Sequence, residues 1–305
     1  MKAEFKIFCK NIRLTSEQRK DAKTKYRGVI KKLHDSYYDC ECNGNTQYLF
    51  GSNKTETDVR PIMNGQDIDV LFKIPQETYD KFDQHIGNGQ SALLQEVKTF
   101  LDEKYTSTEA IKAWGKIVLV KFSDNKHNVE VLPALEQDDG AFLIPNTEDG
   151  GSWEEFDPRK QVKKFLASND KTDGLTAELT RMLKTWVKNT SSLNYQSYAL
   201  LEDVIAFLKT EFKTGTSYDE YATAIKNFLG YKKSRCNSSQ KSHLQTAYDR
   251  AVKAIEYMDD NKPKEASIEW RKIFGESMFP KVQTNPATEC ATKRSIVSPV
   301  APWCK

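Results

Sequence analysis

The chain reads as an α+β protein in which a strand-bearing first half precedes a helical second half. Three observations predict this. Short apolar segments rich in β-branched residues fall between residues 45 and 135. From Pro158 onward, stripes of helical period follow one another with only short breaks. At 305 residues, 38% of them hydrophobic, the chain has enough apolar material for one large domain or two lobes.

Taken in order, Thr15-Ser16-Glu17-Gln18 is a capping box that opens a helix. Ala22, Tyr26, Val29 or Ile30, Leu33 and Tyr37 form its apolar face. A polar turn over 39–46 leads into a strand ending at Phe50, and a second strand runs from about Asp67 to Ile74, stopped by Pro75. Residues 90–105 are helical, with Leu93, Leu94, Val97, Phe100 and Leu101 as the stripe. Residues 116–122 and 128–133 are two strands joined by Ser123-Asp124-Asn125-Lys126, a hairpin. Residues 147–153 read as a loop, and Asp157-Pro158 starts a helix with Asp as its cap. Further helices are expected near 158–168, 174–189, 197–210, 218–229, 239–260 and 263–274. Beyond Pro280 periodicity is lost, so 281–305 is expected to be a tail or a strap.

Composition excludes several classes. No apolar run approaches a membrane span, and the N-terminus lacks the apolar region of a secretory leader, so a cytoplasmic protein with no membrane contact is expected. A net charge of +3, from 46 basic and 43 acidic residues, argues against strong nucleic-acid binding. The six cysteines, at 9, 40, 42, 236, 290 and 304, form no Cys-x-x-Cys, and the four histidines do not stand at zinc-ligand spacing beside them.

Chemistry concentrates in five places. Asp67-Ile68-Asp69 on a strand puts two carboxylates on one face, where they can hold divalent cations against nucleotide phosphates. Gly51-Ser52, just upstream, can offer a turn and a hydroxyl to the same phosphates. Glu130, alone among apolar neighbours, either faces solvent or supplies a third carboxylate and the general base. In the helical half, Arg181, Lys184 and Lys188 share a ridge that is either a solvated surface or a clamp on a triphosphate. Ser197 and Tyr198 open the next helix as a phosphate-binding hydroxyl and a ring that either joins the core or packs on a base.

These residues resemble a known family. Gly51-Ser52, the segment Thr57-Asp58-Val59-Arg60-Pro61, Asp67-Ile68-Asp69 and Glu130-Val131-Leu132-Pro133-Ala134 look like the DNA polymerase β-like nucleotidyltransferase superfamily. Leu183-Lys184-Thr185-Trp186, Ser197-Tyr198, Trp270 to Gly275 and Phe279-Pro280 are similar to bacterial cGAS/DncV-like nucleotidyltransferases, over roughly residues 10–280. The resemblance implies a polymerase β-like lobe with a mixed sheet and N-terminal helix (1–157), a helical lobe (158–280) and a cleft between them. It implies a cyclic oligonucleotide synthase, with a cyclic dinucleotide as product, in bacterial antiphage signalling.

Asp67, Asp69 and Glu130 become catalytic residues and ligands to two Mg²⁺ ions, Mn²⁺ being an alternative; Gly51, Ser52, Lys184, Ser197 and Tyr198 become nucleotide contacts. The implied partners are nucleoside triphosphates, a downstream effector reached through the product, and a regulatory protein. The third acid in that superfamily is commonly Asp rather than Glu. The zinc-binding insertion of the animal DNA sensors is absent. Two other readings share the first step or the fold: a nucleotidyltransferase acting on a non-nucleotide or RNA acceptor, and a non-catalytic nucleotide-binding module.

Overall fold

The computed structural model describes residues 1–62, 66–211, 220–236 and 238–282. The expected tail, with Cys290 and Cys304, lies outside the described residues from 283 on. Helix α1 (Lys2–Ile12) precedes the capped helix, which is α2 (Ser16–Tyr37). The Thr15 hydroxyl accepts from the Gln18 amide at 3.2 Å, and Gln18 Oε1 accepts from the Thr15 amide at 2.9 Å. Two otherwise orphaned donors are thereby satisfied.

Strand β1 (Gln47–Leu49) leads to a single helical turn, α3 (Gly51–Lys54), and then to β2 (Asp67–Lys73). Helices α4 (Gln76–Asp83) and α5 (Gly89–Lys104) follow, then β3 (Ala110–Trp114), β4 (Ile117–Lys121) and β5 (Asn128–Glu136). The segment expected as a loop over 147–153 differs. It holds a short 3₁₀ turn, and from Ser152 it is β7 (Ser152–Phe156), paired antiparallel with β6 (Phe142–Asn146).

The sheet runs β1-β2-β5-β4-β3, with β6 and β7 continuing from the end of β5. It is mixed because β2 and β5 are parallel while their other neighbours are antiparallel. The expected hairpin is the β4–β5 pair, with Leu119 opposite Glu130. Ile68, Val70 and Phe72 of β2 and Val129 and Val131 of β5 are sealed against α2 and α5. Each such side chain contributes roughly 1.5–3 kcal/mol by leaving water. On the opposite face Leu71, Leu132, Phe142 and Ile144 form a smaller cluster.

Asp157 caps α6 (Pro158–Lys171), accepting from the Lys160 amide at 3.0 Å. Then come α7 (Leu175–Asn189), α8 (Ser197–Glu211), α9 (Tyr221–Lys233), α10 (Ser238–Asp259) and α11 (Pro263–Phe274). Their core holds Leu179, Leu183, Phe207, Phe228 and Trp270. α1 belongs to this core rather than to the sheet: Phe5, Phe8 and Ile12 are buried in it. The chain thus starts in the helical part before building the sheet. No helix among the described residues is long and apolar enough to cross a membrane.

Candidate active site

Strand alternation sends Asp67, Asp69 and Leu71 to one face of β2, opposite the residues sealed under α2 and α5. On β5 the same alternation sends Asn128, Glu130 and Leu132 to that face. Parallel register then sets Asp69 directly opposite Glu130 and Asp67 opposite Asn128. Asn128 Nδ2 donates to Asp67 Oδ1 at 2.9 Å, which orients that carboxylate.

Crowding has an electrostatic consequence. Burial, and then the charges of Glu130, Asp58 and Asp67, push the Asp69 carboxyl up to about 7. Burial and Asp67 likewise push Glu130 up to about 7. Asp58 is itself buried and raised by burial, with Lys184 and Arg19 opposing the rise. The site therefore holds more negative charge than its surroundings neutralise.

Gly51 is required where it stands. Its φ is +63°, and an added Cβ would lie 2.0 Å from Asp69 Oδ2. The next residue meets the helical part: Lys184 Nζ, on α7, donates to Ser52 Oγ at 2.6 Å and to Thr57 Oγ1 at 3.2 Å. Burial pulls Lys184 and Lys188 down to about 8, while Asp58 opposes the fall in both.

Two adjoining cavities lie over the acids. One, of about 220 Å³, is lined by Asp58, Asp67, Asp69, Glu130, Lys184 and Lys188, with Tyr195 and Ser197 at its helical wall. The other, of about 470 Å³, shares Ser52, Asp69, Glu130, Lys184 and Ser197 and adds Gly51, Gln196, Tyr198 and Glu202. Asp67, Asp69, Glu130, Gly51, Ser52, Lys184, Ser197 and Tyr198 each line one or both. Tyr198 is 52% exposed, so its ring is at the rim rather than in the core.

Arg181 differs from expectation. It is buried away from this cavity, donating to the Glu56 carbonyl at 2.5 Å and pairing with Glu178 at 3.1 Å. Sequence reading missed Asp58, Gln66, Tyr195 and Asn128 as lining or supporting residues. Asn128 had a signal, being two residues before Glu130 on one strand. Gln66 clamps the segment before it, donating to the Pro61 carbonyl at 3.0 Å, a contact with no pattern to announce it.

Among the described residues no three His, Cys, Asp or Glu side chains form a ready-made metal cage. The donor set nevertheless suits a hard cation. Mg²⁺ commonly binds through one or two carboxylates plus substrate phosphates and waters, so a closed protein cage is not its usual mode. Uncompensated charge on Asp69 and Glu130 is what such an ion relieves.

Solved structures share this architecture. The chain superposes on Escherichia coli MS115-1 CdnC, solved in complex with HORMA-deltaN, with a TM-score of 0.62 at 16% identity, covering 91% of this chain and 98% of that one. It also superposes on the Vibrio cholerae DncV cyclic AMP-GMP synthase, in complex with the linear intermediate 5′ pppA(3′,5′)pG. There the TM-score is 0.64 at 16% identity, covering 87% and 92%. The fold is that of the DncV-like nucleotidyltransferases. Residues 1–169 match the model of the Second Messenger Oligonucleotide or Dinucleotide Synthetase domain, and the chain belongs to that family. A probable cyclic nucleotide synthase of Bacillus cereus (strain VD146) is 23% identical over 280 residues, 76% of this chain and 81% of that protein. The protein is accordingly an enzyme of the nucleotidyltransferase class.

Proposed function

We propose that the enzyme joins two nucleoside triphosphates into a cyclic dinucleotide, releasing pyrophosphate at each step, as a second messenger in bacterial antiphage signalling. The observation that carries this is the placement of Asp67, Asp69 and Glu130 on one sheet face beneath two adjoining cavities, with Lys184 and Ser52 bonded across them. Two cavities sharing one set of acids suit a donor and an acceptor nucleotide. The linear dinucleotide held by the Vibrio cholerae relative supports the same order of events.

Each of the chain's own groups has a role in this reading. Ser52, Lys184 and Ser197 bind the donor triphosphate, and Tyr198 packs against its base at the rim. Glu130 accepts the proton of the attacking ribose hydroxyl. Asp67, Asp69 and Glu130 would hold two Mg²⁺ ions, which Mn²⁺ could replace. Those ions would lower the pKa of the attacking hydroxyl and neutralise charge on the departing pyrophosphate. Positioning and charge neutralisation account for the rest.

In this reading residues 1–157 and 158–280 are the two walls of the cleft, with α1 crossing over to pack in the helical wall. The HORMA complex of the CdnC relative makes a regulatory protein partner part of the proposal, with a downstream effector answering to the product. The test is to supply purified protein with Mg²⁺ or Mn²⁺ and every pair of α-labelled nucleoside triphosphates, then phosphatase. A labelled, phosphatase-resistant product from the wild type and none from Asp69→Ala is expected. Label that remains phosphatase-sensitive points to a separate acceptor and overturns the cyclase reading. Tight nucleotide binding with no turnover leaves a non-catalytic module.

A further inference from the structure

The three acids that line the catalytic cavity are not held alike. Asn128 Nδ2 donates to Asp67 Oδ1 at 2.9 Å, and no other hydrogen bond reaches that carboxylate among the described residues. The carboxylates of Asp69 and Glu130 accept none from any described residue; burial and neighbouring charge alone act on them. One acid of the three therefore has a fixed orientation, and a single side chain supplies it.

Asn128 is itself fixed at both ends of its amide. Its Oδ1 accepts from the Phe122 backbone amide at 3.2 Å, so its NH₂ end is the one that meets Asp67. Turned the other way it would set N–H against N–H and oxygen against carboxylate, two unmade bonds at a residue only 6% exposed. Parallel pairing of β2 and β5 makes Asp67 its direct register partner. The turn beside it is pinned from α2 by the buried Lys25. Lys25 Nζ donates to the His127 carbonyl at 2.9 Å and to Asp124 Oδ1 at 2.8 Å, and it stands 4.7 Å from the centre of the Phe122 ring. Both Phe122, which bonds Asn128, and His127, which precedes it, are thus held by one lysine.

We propose that Asn128 is a positioning residue that sets which divalent cation the site prefers, by denying Asp67 a two-oxygen grip and so disfavouring Ca²⁺ against Mg²⁺. One oxygen of Asp67 is committed to Asn128, which leaves the other for a cation. Hydrogen bonds of this kind to ligating carboxylates fix their orientation and tune what they bind. A carboxylate limited to one oxygen suits the small octahedral shell of Mg²⁺. Ca²⁺ takes about six to eight oxygens and readily takes both from one carboxylate, so it loses more by the restriction. The inference rests on the reading of Asp67, Asp69 and Glu130 as metal ligands and goes beyond it, since that reading needs the acids alone.

The experiment is a Mn²⁺ titration of the full chain with α,β-methylene-ATP, which cannot turn over, followed by water-proton relaxation. Bound Mn²⁺ is then displaced by Mg²⁺ and, separately, by Ca²⁺. Asn128→Ala is the informative variant, and Asn128→Leu keeps the side chain's size should the smaller residue unfold the strand. Both are expected to bind Mn²⁺ about tenfold more weakly, with the Ca²⁺-to-Mg²⁺ preference moved towards Ca²⁺ by about fivefold or more. Thr15→Ala, which loosens α2 at its remote cap, should leave the preference unmoved. A preference unchanged in the Asn128 variants, or moved towards Mg²⁺, would make Asn128 a merely structural residue and overturn the proposal. Unaltered Mn²⁺ affinity in both variants overturns it as well. Failure of the underlying metal reading looks different: the wild type would take up no Mn²⁺, or Asp69→Ala would take it up as tightly, and the proposal falls with it.

Discussion

Asp69 is a residue whose stability cost and proposed role have one cause. Folding raises its carboxyl from 3.8 to about 7, so the charged form is disfavoured in the native state. The native protein therefore has its full stability from this group below about pH 4 and loses it as pH rises through about 7. Asp69→Asn should stabilise the metal-free protein by on the order of 2 kcal/mol at pH 8 and by almost nothing at pH 4, while abolishing product. Urea melts at the two pH values in EDTA check it, and equal melts for wild type and variant would refute it. Gly51→Ala should fold and yet lose at least about 100-fold in turnover, because the new methyl occupies the space of Asp69 Oδ2. Both residues stood out in the sequence, since strand alternation and a Gly-Ser turn are local features. Arg181 was misplaced because a helical ridge gives its angle around the axis but not what packs on it. Asp58 was passed over because its burial beside Lys184 depends on how two distant segments meet.

Among the elements, those with start or stop signals were the legible ones. Thr15 and Asp157 with Pro158 each mark a helix where the structure has one. Thr15→Ala should cost about 1 kcal/mol of stability with turnover unchanged, because the cap is remote from the acids. A denaturation midpoint that did not move would show α2 to be held by packing alone. α1 went unread although Phe5, Phe8, Cys9 and Ile12 have helical spacing, since Met1 provides no side-chain cap to announce it. β7 is a polar segment, Ser-Trp-Glu-Glu-Phe, without clean alternation. It is a strand because β6 supplies a pairing edge, which no window of local sequence contains.

At the level of the whole molecule, α1 ties the start of the chain to α11 and the segment just after it. Phe5 packs edge-on against Trp270 at 5.1 Å, and Asn11 donates to the Met278 carbonyl at 3.1 Å. Arg13 then pairs with Glu178, and the Arg60 amide donates to the Ile12 carbonyl at 2.8 Å, so the same helix touches both halves. Phe8→Ala, at a fully buried ring, should cost about 3–5 kcal/mol and lower the unfolding of both halves together. Loss confined to the helical half, seen by residue-resolved hydrogen exchange, would show the halves to be energetically separate.

Residue order alone was enough for the α+β class, the helical second half and the strand carrying Asp67 and Asp69 on one face. Each of these rests on interactions within a few positions along the chain: alternation, helical period, caps and turns. The parallel register of Asp69 with Glu130, the reach of Lys184 to Ser52 and the burial of Asp58 needed the folded chain. They join segments dozens to more than a hundred residues apart, and distance through space is set by packing, which no local pattern encodes.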